Sequence, residues 1–225
     1  MGSVFIDNLE KIRYRMSAAA ARSNRDAKAI TLVVVTKYAS LEAVVEALSS
    51  GRVLEAGENR VQDAEKKKLQ LGALAGKVRW RLIGHLQTNK AKKAVANFDA
   101  VDSIDSARLA AALDEALKGS DRKLPVMIQV KLSESETQSG ISPEDLPGLI
   151  EEVRKRPNLE LQGLMGIAPN LEPVEAVRPS FKLLRELRDK HLPGGKLSMG
   201  MSRDFEVAIE EGADLIRIGT QIFAP

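Results

Sequence analysis

Phe5, Leu9, Ile12 and Met16 recur at steps of four, three and four near the start of the chain, a spacing that predicts one apolar face of an amphipathic helix. After that helix the pattern changes. Short apolar runs stand at 31–36, 53–55, 79–83, 99–101, 126–130, 159–164, 196–198 and 214–218, each followed by a helical pattern or a loop leading into one. In "SPEDLPGLIEEV", Ser142 is expected at an N-cap and Pro143 at the first helical position, with acids in the first turn. Positions 146, 149, 150 and 153 then face one way. "PVEAVRPSFKLLREL" repeats the device with Val174, Val177, Phe181 and Leu184, and Pro179 is expected to kink it.

Strand then helix, eight times over 225 residues, predicts an α/β protein: one (β/α)8 TIM-type barrel with an extra N-terminal helix, close to the ~250 residues typical of such barrels. A doubly wound open sheet uses the same alternation, but no G-x-G-x-x-G follows the first strand. No linker rich in Gly, Pro or Ser interrupts residues 1–225, so a single domain is expected.

Composition narrows the chemistry. There is no cysteine, which removes disulfides, thiol nucleophiles and cysteine metal sites. Two histidines, His85 and His191, lie far apart, so no histidine-rich metal site is expected. His85 is read as a hydrogen-bonded structural residue and His191 as surface. The net charge is only +3. Lys66, Lys67 and Lys68, and Lys90, Lys92 and Lys93, lie in helical patterns without interleaved aromatics. They read as solvated helix faces rather than a nucleic-acid surface. No apolar run approaches the ~20 residues of a membrane helix. The N-terminal stretch, broken by Asp7, Glu10 and Arg13, lacks a leader pattern. A cytoplasmic protein is expected, as a monomer or weak dimer.

A barrel gathers its functional residues just beyond the C-terminal strand ends. The polar residues that a core has no use for stand there: Lys37, "GENR" (57–60), "GHLQTNK" (84–90), Asp102 with Ser103, "KLSESETQSG" (131–140), "MGIAPN" (165–170), "MGMSRD" (199–204) and "RIGT" (217–220). Lys37 admits two readings. Burial at a barrel mouth disfavours the charged ammonium and yields an amine that condenses with an aldehyde. Alternatively the side chain snorkels to the rim. The loops after strands seven and eight are where such barrels hold phosphate. There Gly200 and Ser202, near a helix N-cap, and Gly219 and Thr220 offer backbone N–H groups and hydroxyls. Arg217 lies in the apolar run "LIRIGT", where it either pairs with an inward carboxylate such as Glu55 or Asp102 or serves a ligand. A lysine amine, a phosphate cradle and an arginine at a ring nitrogen together describe a pyridoxal 5'-phosphate (PLP) site.

"VVVTK", "GENRVQ", "WRLIGHLQTNK", "SGISPEDL", "GLMGIAP" and "LSMGMSRDFEVAIEEGADLIRIGTQIF" resemble, in order and spacing, the PLP homeostasis protein family, single-domain PLP binders related to the barrel domain of alanine racemase. The resemblance covers nearly the whole chain. It implies PLP held on Lys37 as a Schiff base, phosphate contacts from Ser198, Met199, Gly200 and Ser202 and from Gly219 and Thr220, Arg217 at the pyridine nitrogen, and Asn59 near the ring. Thr36 stands where Ser is usual, Tyr38 where Thr is common and Arg60 where an aromatic is common.

The resemblance further implies intracellular storage, buffering or delivery of PLP, with PLP-dependent apo-enzymes as recipients and effects on amino-acid and keto-acid balance. Two alternatives stand beside it. A PLP-dependent amino-acid racemase needs a second base, which related racemases take from a tyrosine of a further domain. Tyr14 and Tyr38 are the only tyrosines, and strand alternation points Tyr38 away from Lys37. A cofactor-free Schiff-base aldolase uses the lysine and the phosphate loops but has no need of Arg217.

Overall fold

The computed structural model describes residues 3–133 and 138–224. Eight parallel strands close a barrel in sequence order, the last pairing with the first. Helix α1 (Val4–Arg22) buries Phe5, Leu9, Ile12 and Met16 as the spacing predicts, and the Ser3 side chain accepts from the Ile6 N–H to cap it. The first half of the barrel follows as β1 (Thr31–Val35), α2 (Leu41–Ser49), β2 (Glu55–Glu58), α3 (Val61–Leu71), β3 (Arg79–Leu82), α4 (Ala91–Asn97), β4 (Ala100–Ile104) and α5 (Ala107–Ala116). The second half is β5 (Leu124–Lys131), α6 (Leu146–Arg154), β6 (Leu159–Ile167), α7 (Arg178–His191), β7 (Lys196–Ser198), α8 (Phe205–Glu210), β8 (Leu215–Ile218) and a short α9 (Thr220–Phe223).

Two apolar regions result from the alternation of strand side chains. Outward-facing residues pack on the helices and form the large core, with Trp80, Phe98, Phe181 and Phe205 as its bulkiest members. Inward-facing Val33, Met127, Met165 and Leu215 fill a small separate cluster inside the barrel. Above and around that cluster the interior is charged. Arg81 pairs with Asp102 (2.7 Å) and Glu55 (3.1 Å). Burial alone lowers the Arg81 pKa, but the charge and hydrogen bonds of Asp102, then of Glu55, hold it above its ordinary value.

Several local expectations are corrected. β2 runs over Glu55–Glu58 rather than 53–55, so its strand is "EAGE", with no β-branched residue to announce it. The reason is spatial: a Cβ at Gly57 would lie 3.0 Å from a Val33 methyl and 3.1 Å from Ile83, so the crowded interior takes glycine. Asp102 and Ser103 lie within β4, not beyond it. α6 starts at Leu146, with Pro147 in its first turn. Ser142 instead closes the preceding turn, accepting from the Asp145 N–H at 3.2 Å. Pro179 sits in the first turn of α7 after a separate 3-10 turn over Val174–Val177, where its missing N–H costs no hydrogen bond. No kink is needed. Of "KLSESETQSG", residues 134–137 lie outside the described residues. Among the described residues, no helix is long and apolar enough to cross a membrane.

Candidate functional site

A cavity of about 580 Å³ opens at the C-terminal ends of the strands, walled by Lys37, Asn59, Ser202, Arg217, Gly219 and Thr220 among others. Six of the nine residues singled out from the sequence thus share one wall. Ser198, Met199 and Gly200 do not reach it. Met199 is wholly buried in the outer core, and its N–H donates to the Leu215 carbonyl at 3.0 Å. Gly200 turns the chain at φ 88°. A Cβ there would lie 2.5 Å from the Ala208 Cβ, so this glycine permits close packing of α8. Ser198 stands behind Arg217 and accepts its Nη1 hydrogen bond at 2.8 Å.

Arg217 is buried, and its Nη2 donates to the Gly166 carbonyl at 2.9 Å. Both of its acceptors are neutral. Among the described residues it forms no ion pair, because Arg81 holds the two carboxylates, Glu55 and Asp102, that were its alternative partners. Burial therefore dominates and pulls the Arg217 pKa down to about 10, against the opposing pull of Asp102 and Asp204. A cation kept in a low-dielectric wall without a direct ion pair is costly. It faces a cavity where an acceptor on a ligand would be held.

Lys37 follows β1 by one residue beyond Thr36, and it is exposed at the mouth rather than buried. Access, not desolvation, is what this position supplies. The chain turns at Lys37 and Tyr38, so strand alternation does not carry on to Tyr38, which does not point away. The Lys37 Nζ lies 4.9 Å from the centroid of the Tyr38 ring. Tyr38, Ile167, Ala168, Leu171 and Phe223 add an apolar side to the cavity; of these, Leu171 lies outside every motif singled out from the sequence.

The phosphate-side loop is built differently from expectation. Asp204, not Ser202, occupies the α8 N-cap, and its Oδ1 accepts from the Met201 N–H at 2.6 Å. Asp204 is buried, and burial raises its carboxyl pKa, with the Met201 bond and Arg217 opposing. Ser202 and Thr220 line the cavity, and among the described residues their hydroxyls make no hydrogen bond. Arg203 reaches over the rim to Asn170, to the Leu171 carbonyl (3.0 Å) and to Glu172, tying this loop to the one after β6.

Behind the wall, the run Lys66–Lys68 is not one solvated face. Lys66 is exposed, but the Lys68 Nζ bonds the Asn97 carbonyl at 2.7 Å over the Trp80 ring, and burial lowers its pKa. Lys67 turns inward to Glu58. His85 lies 3.2 Å from Asp105. Among the described residues no group of three acidic or histidine side chains could hold a metal ion.

An accessible primary amine, hydroxyls lining the same cavity and an arginine with no carboxylate partner among the described residues suit a ligand bearing an aldehyde, a phosphate and a ring acceptor. Comparison with known proteins points the same way. The alanine racemase N-terminal domain family matches residues 8–224. The pyridoxal phosphate homeostasis protein of Pseudomonas aeruginosa is 39% identical over 98% of this chain and 95% of its own. That of Aquifex aeolicus is 38% identical over 96% of each. PipY of Synechococcus elongatus PCC7942, solved with PLP bound, superposes with a TM-score of 0.78 at 34% identity, covering 95% of this chain and 100% of that one.

Proposed function

The chain belongs to the pyridoxal phosphate homeostasis protein family, and from that premise we propose that it binds PLP at the barrel mouth, as a Schiff base on Lys37, and stores, buffers or delivers it. The observation that carries the reading is the shared cavity: an accessible Lys37 amine, Ser202 and Thr220 hydroxyls, and Arg217, which forms no ion pair among the described residues, all line it. When bound, PLP supplies an aldehyde carbon, a phosphate and a conjugated ring able to accept electrons.

The protein's own groups divide the work. The Lys37 Nζ, as neutral amine, bonds to the aldehyde carbon and water leaves, so no redox partner is needed. Ser202, Gly219 and Thr220 hold the phosphate. Arg217, oriented by Ser198 and the Gly166 carbonyl, donates to the ring nitrogen, and its positive charge opposes protonation there. That weakens the ring as an electron sink and favours carriage over catalysis. Asn59 meets the ring from the β2 side. Storage also suits Lys37's exposure, since an incoming amine of a recipient reaches the linkage without opening the barrel.

Racemisation requires bases on opposite faces of a substrate carbon. Tyr38 lies against the Lys37 Nζ itself, on the lysine's side, and Tyr14 is an exposed residue of α1. The recipients follow from the same reading: PLP-dependent apo-enzymes whose own lysine takes over the aldehyde.

The test is the absorption spectrum of the purified protein incubated with PLP, then borohydride reduction and peptide mapping. A pyridoxyl group on Lys37 is expected. A colourless protein that takes up no PLP but traps a keto acid at Lys37 would replace the proposal with a Schiff-base aldolase.

A further inference from the structure

We propose that Lys67, on α3, is a positioning residue for Lys37 and Asn59, and thereby sets how fast PLP is captured. The inference rests on the reading of Lys37 given above. β1 and β2 are neighbours with Val35 opposite Gly57, and the Thr36 N–H donates to the Gly57 carbonyl at 3.0 Å. Val35 and Gly57 face the barrel interior. The next residues, Thr36 and Glu58, face outward toward α3, and the ones after those, Lys37 and Asn59, line the cavity. Thr36 and Glu58 are thus the last outward positions before two cavity residues.

Lys67 ties both. Its Nζ donates to the Thr36 carbonyl at 2.5 Å and to the Glu58 Oε1. The same Oε1 accepts from the Thr36 hydroxyl at 2.6 Å. The Thr36 carbonyl and the Lys37 N–H belong to one planar peptide unit. A bond that fixes the carbonyl therefore fixes the plane from which Lys37 leaves the strand. On the Asn59 side the fit is also tight, since a Cβ at Gly84 would lie 2.3 Å from the Asn59 carbonyl oxygen.

The energetics favour a positioning role. Glu58 is fully buried, and burying its carboxylate beside an ammonium gains little over an apolar pair of similar size. What the arrangement adds is directional: three bonds meet at two strand ends whose next residues must face a ligand. Groups that orient a reacting residue in this way typically change affinity or rate by tenfold or more.

The test compares PLP capture by the parent with Lys67→Met, Lys67→Arg and the double variant Lys67→Met/Glu58→Gln. The double variant leaves no orphaned buried charge and so keeps the fold. Capture rate is read from the growth of the cofactor absorption band, and its position from borohydride trapping mapped to Lys37, at a temperature where melting curves show each protein folded. The expected result is capture about tenfold slower in Lys67→Met and in the double variant, with a displaced band, and partial recovery in Lys67→Arg. A folded double variant with the parental rate and band overturns the inference, as does Lys67→Arg no faster than Lys67→Met. A parent that traps nothing on Lys37 overturns the PLP reading itself, and this inference with it.

Discussion

Arg81 closes on both carboxylate oxygens of Asp102, Nε to Oδ2 at 2.8 Å and Nη2 to Oδ1 at 2.7 Å. This pairing inside the barrel decides what Arg217 is for, because it leaves Arg217 with a hydroxyl and a carbonyl as its partners. The two arginines differ in consequence. Arg81→Met strands the buried carboxylate of Asp102 and leaves Glu55 only the exposed Arg79 at 3.6 Å, and is expected to cost about 3–5 kcal/mol. Arg217→Met strands only neutral acceptors, at about 1–2 kcal/mol. Thermal melts check the ranking: the Arg81 variant should fall by about 10 °C and the Arg217 variant by well under half of that. Equal losses would mean that Arg217 carries structural weight the geometry does not show.

Arg217→Met should also change the cofactor's colour. With the cation gone, the ring nitrogen of bound PLP is freer to take a proton, and the absorption band moves. Titrating both proteins with PLP under the same conditions tests this. An unchanged band would place Arg217 away from the ring.

The barrel was legible because its signal is periodic: eight apolar runs each turn into a helical pattern, and the barrel class follows from counting them. β2 was misplaced because "EAGE" carries no apolar alternation, its glycine being set by contact with Val33 and Ile83 from other strands. The same limit applies at the site. Lys37, Asn59, Ser202, Arg217 and Thr220 were visible as polar residues at strand ends, and Gly219 as the glycine beside Thr220. The Lys67–Glu58–Thr36 network was not, because a lysine in a run of three looks solvated until the helix is docked. Tyr38 was misdirected for a related reason: its orientation depends on where β1 ends, which a run of β-branched residues does not mark.

Lys37→Ala separates attachment from folding. The side chain is exposed, so its loss should change stability by no more than about 0.5 kcal/mol. Covalent PLP, read as the mass added after borohydride reduction, should vanish. A variant still labelled at full stoichiometry would move the linkage to another lysine.

Gly200→Ala should be costly although Gly200 does not itself line the cavity. The residue holds φ 88°, and the new methyl would meet Ala208 at 2.5 Å and the Phe205 Cα at 2.9 Å. Strain and overpacking of roughly 1–3 kcal/mol each are expected. Gly212→Ala is the control: its φ is 102°, but its nearest neighbour is the flexible Arg185 side chain at 3.5 Å. It should lose only the backbone part. Urea unfolding of the pair separates the two contributions, and equal losses would show that α8 yields to the methyl.

Asp204 gives the pH dependence its sign. Burial raises its folded pKa above the ordinary 3.8, the Met201 N–H and the charges of Arg217 and Arg203 opposing. A carboxyl with a raised folded pKa contributes stability that is full below the unfolded value and is lost as pH rises through the folded one. At neutral pH its ionised form is therefore a burden. Asp204→Asn keeps an oxygen to accept from Met201 and deletes the titration. The variant should be at least as stable as the parent at pH 7, with the difference shrinking as pH falls toward 3.8. It also removes a negative charge from the cavity wall that holds Ser202 and Thr220, so inorganic phosphate should compete with PLP more strongly. Urea unfolding at pH 7 and near pH 4, with phosphate competition at pH 7, measures both effects. A variant less stable at pH 7 would show that the attraction to Arg217 outweighs burial, and would make Asp204 the counter-ion that Arg217 otherwise lacks.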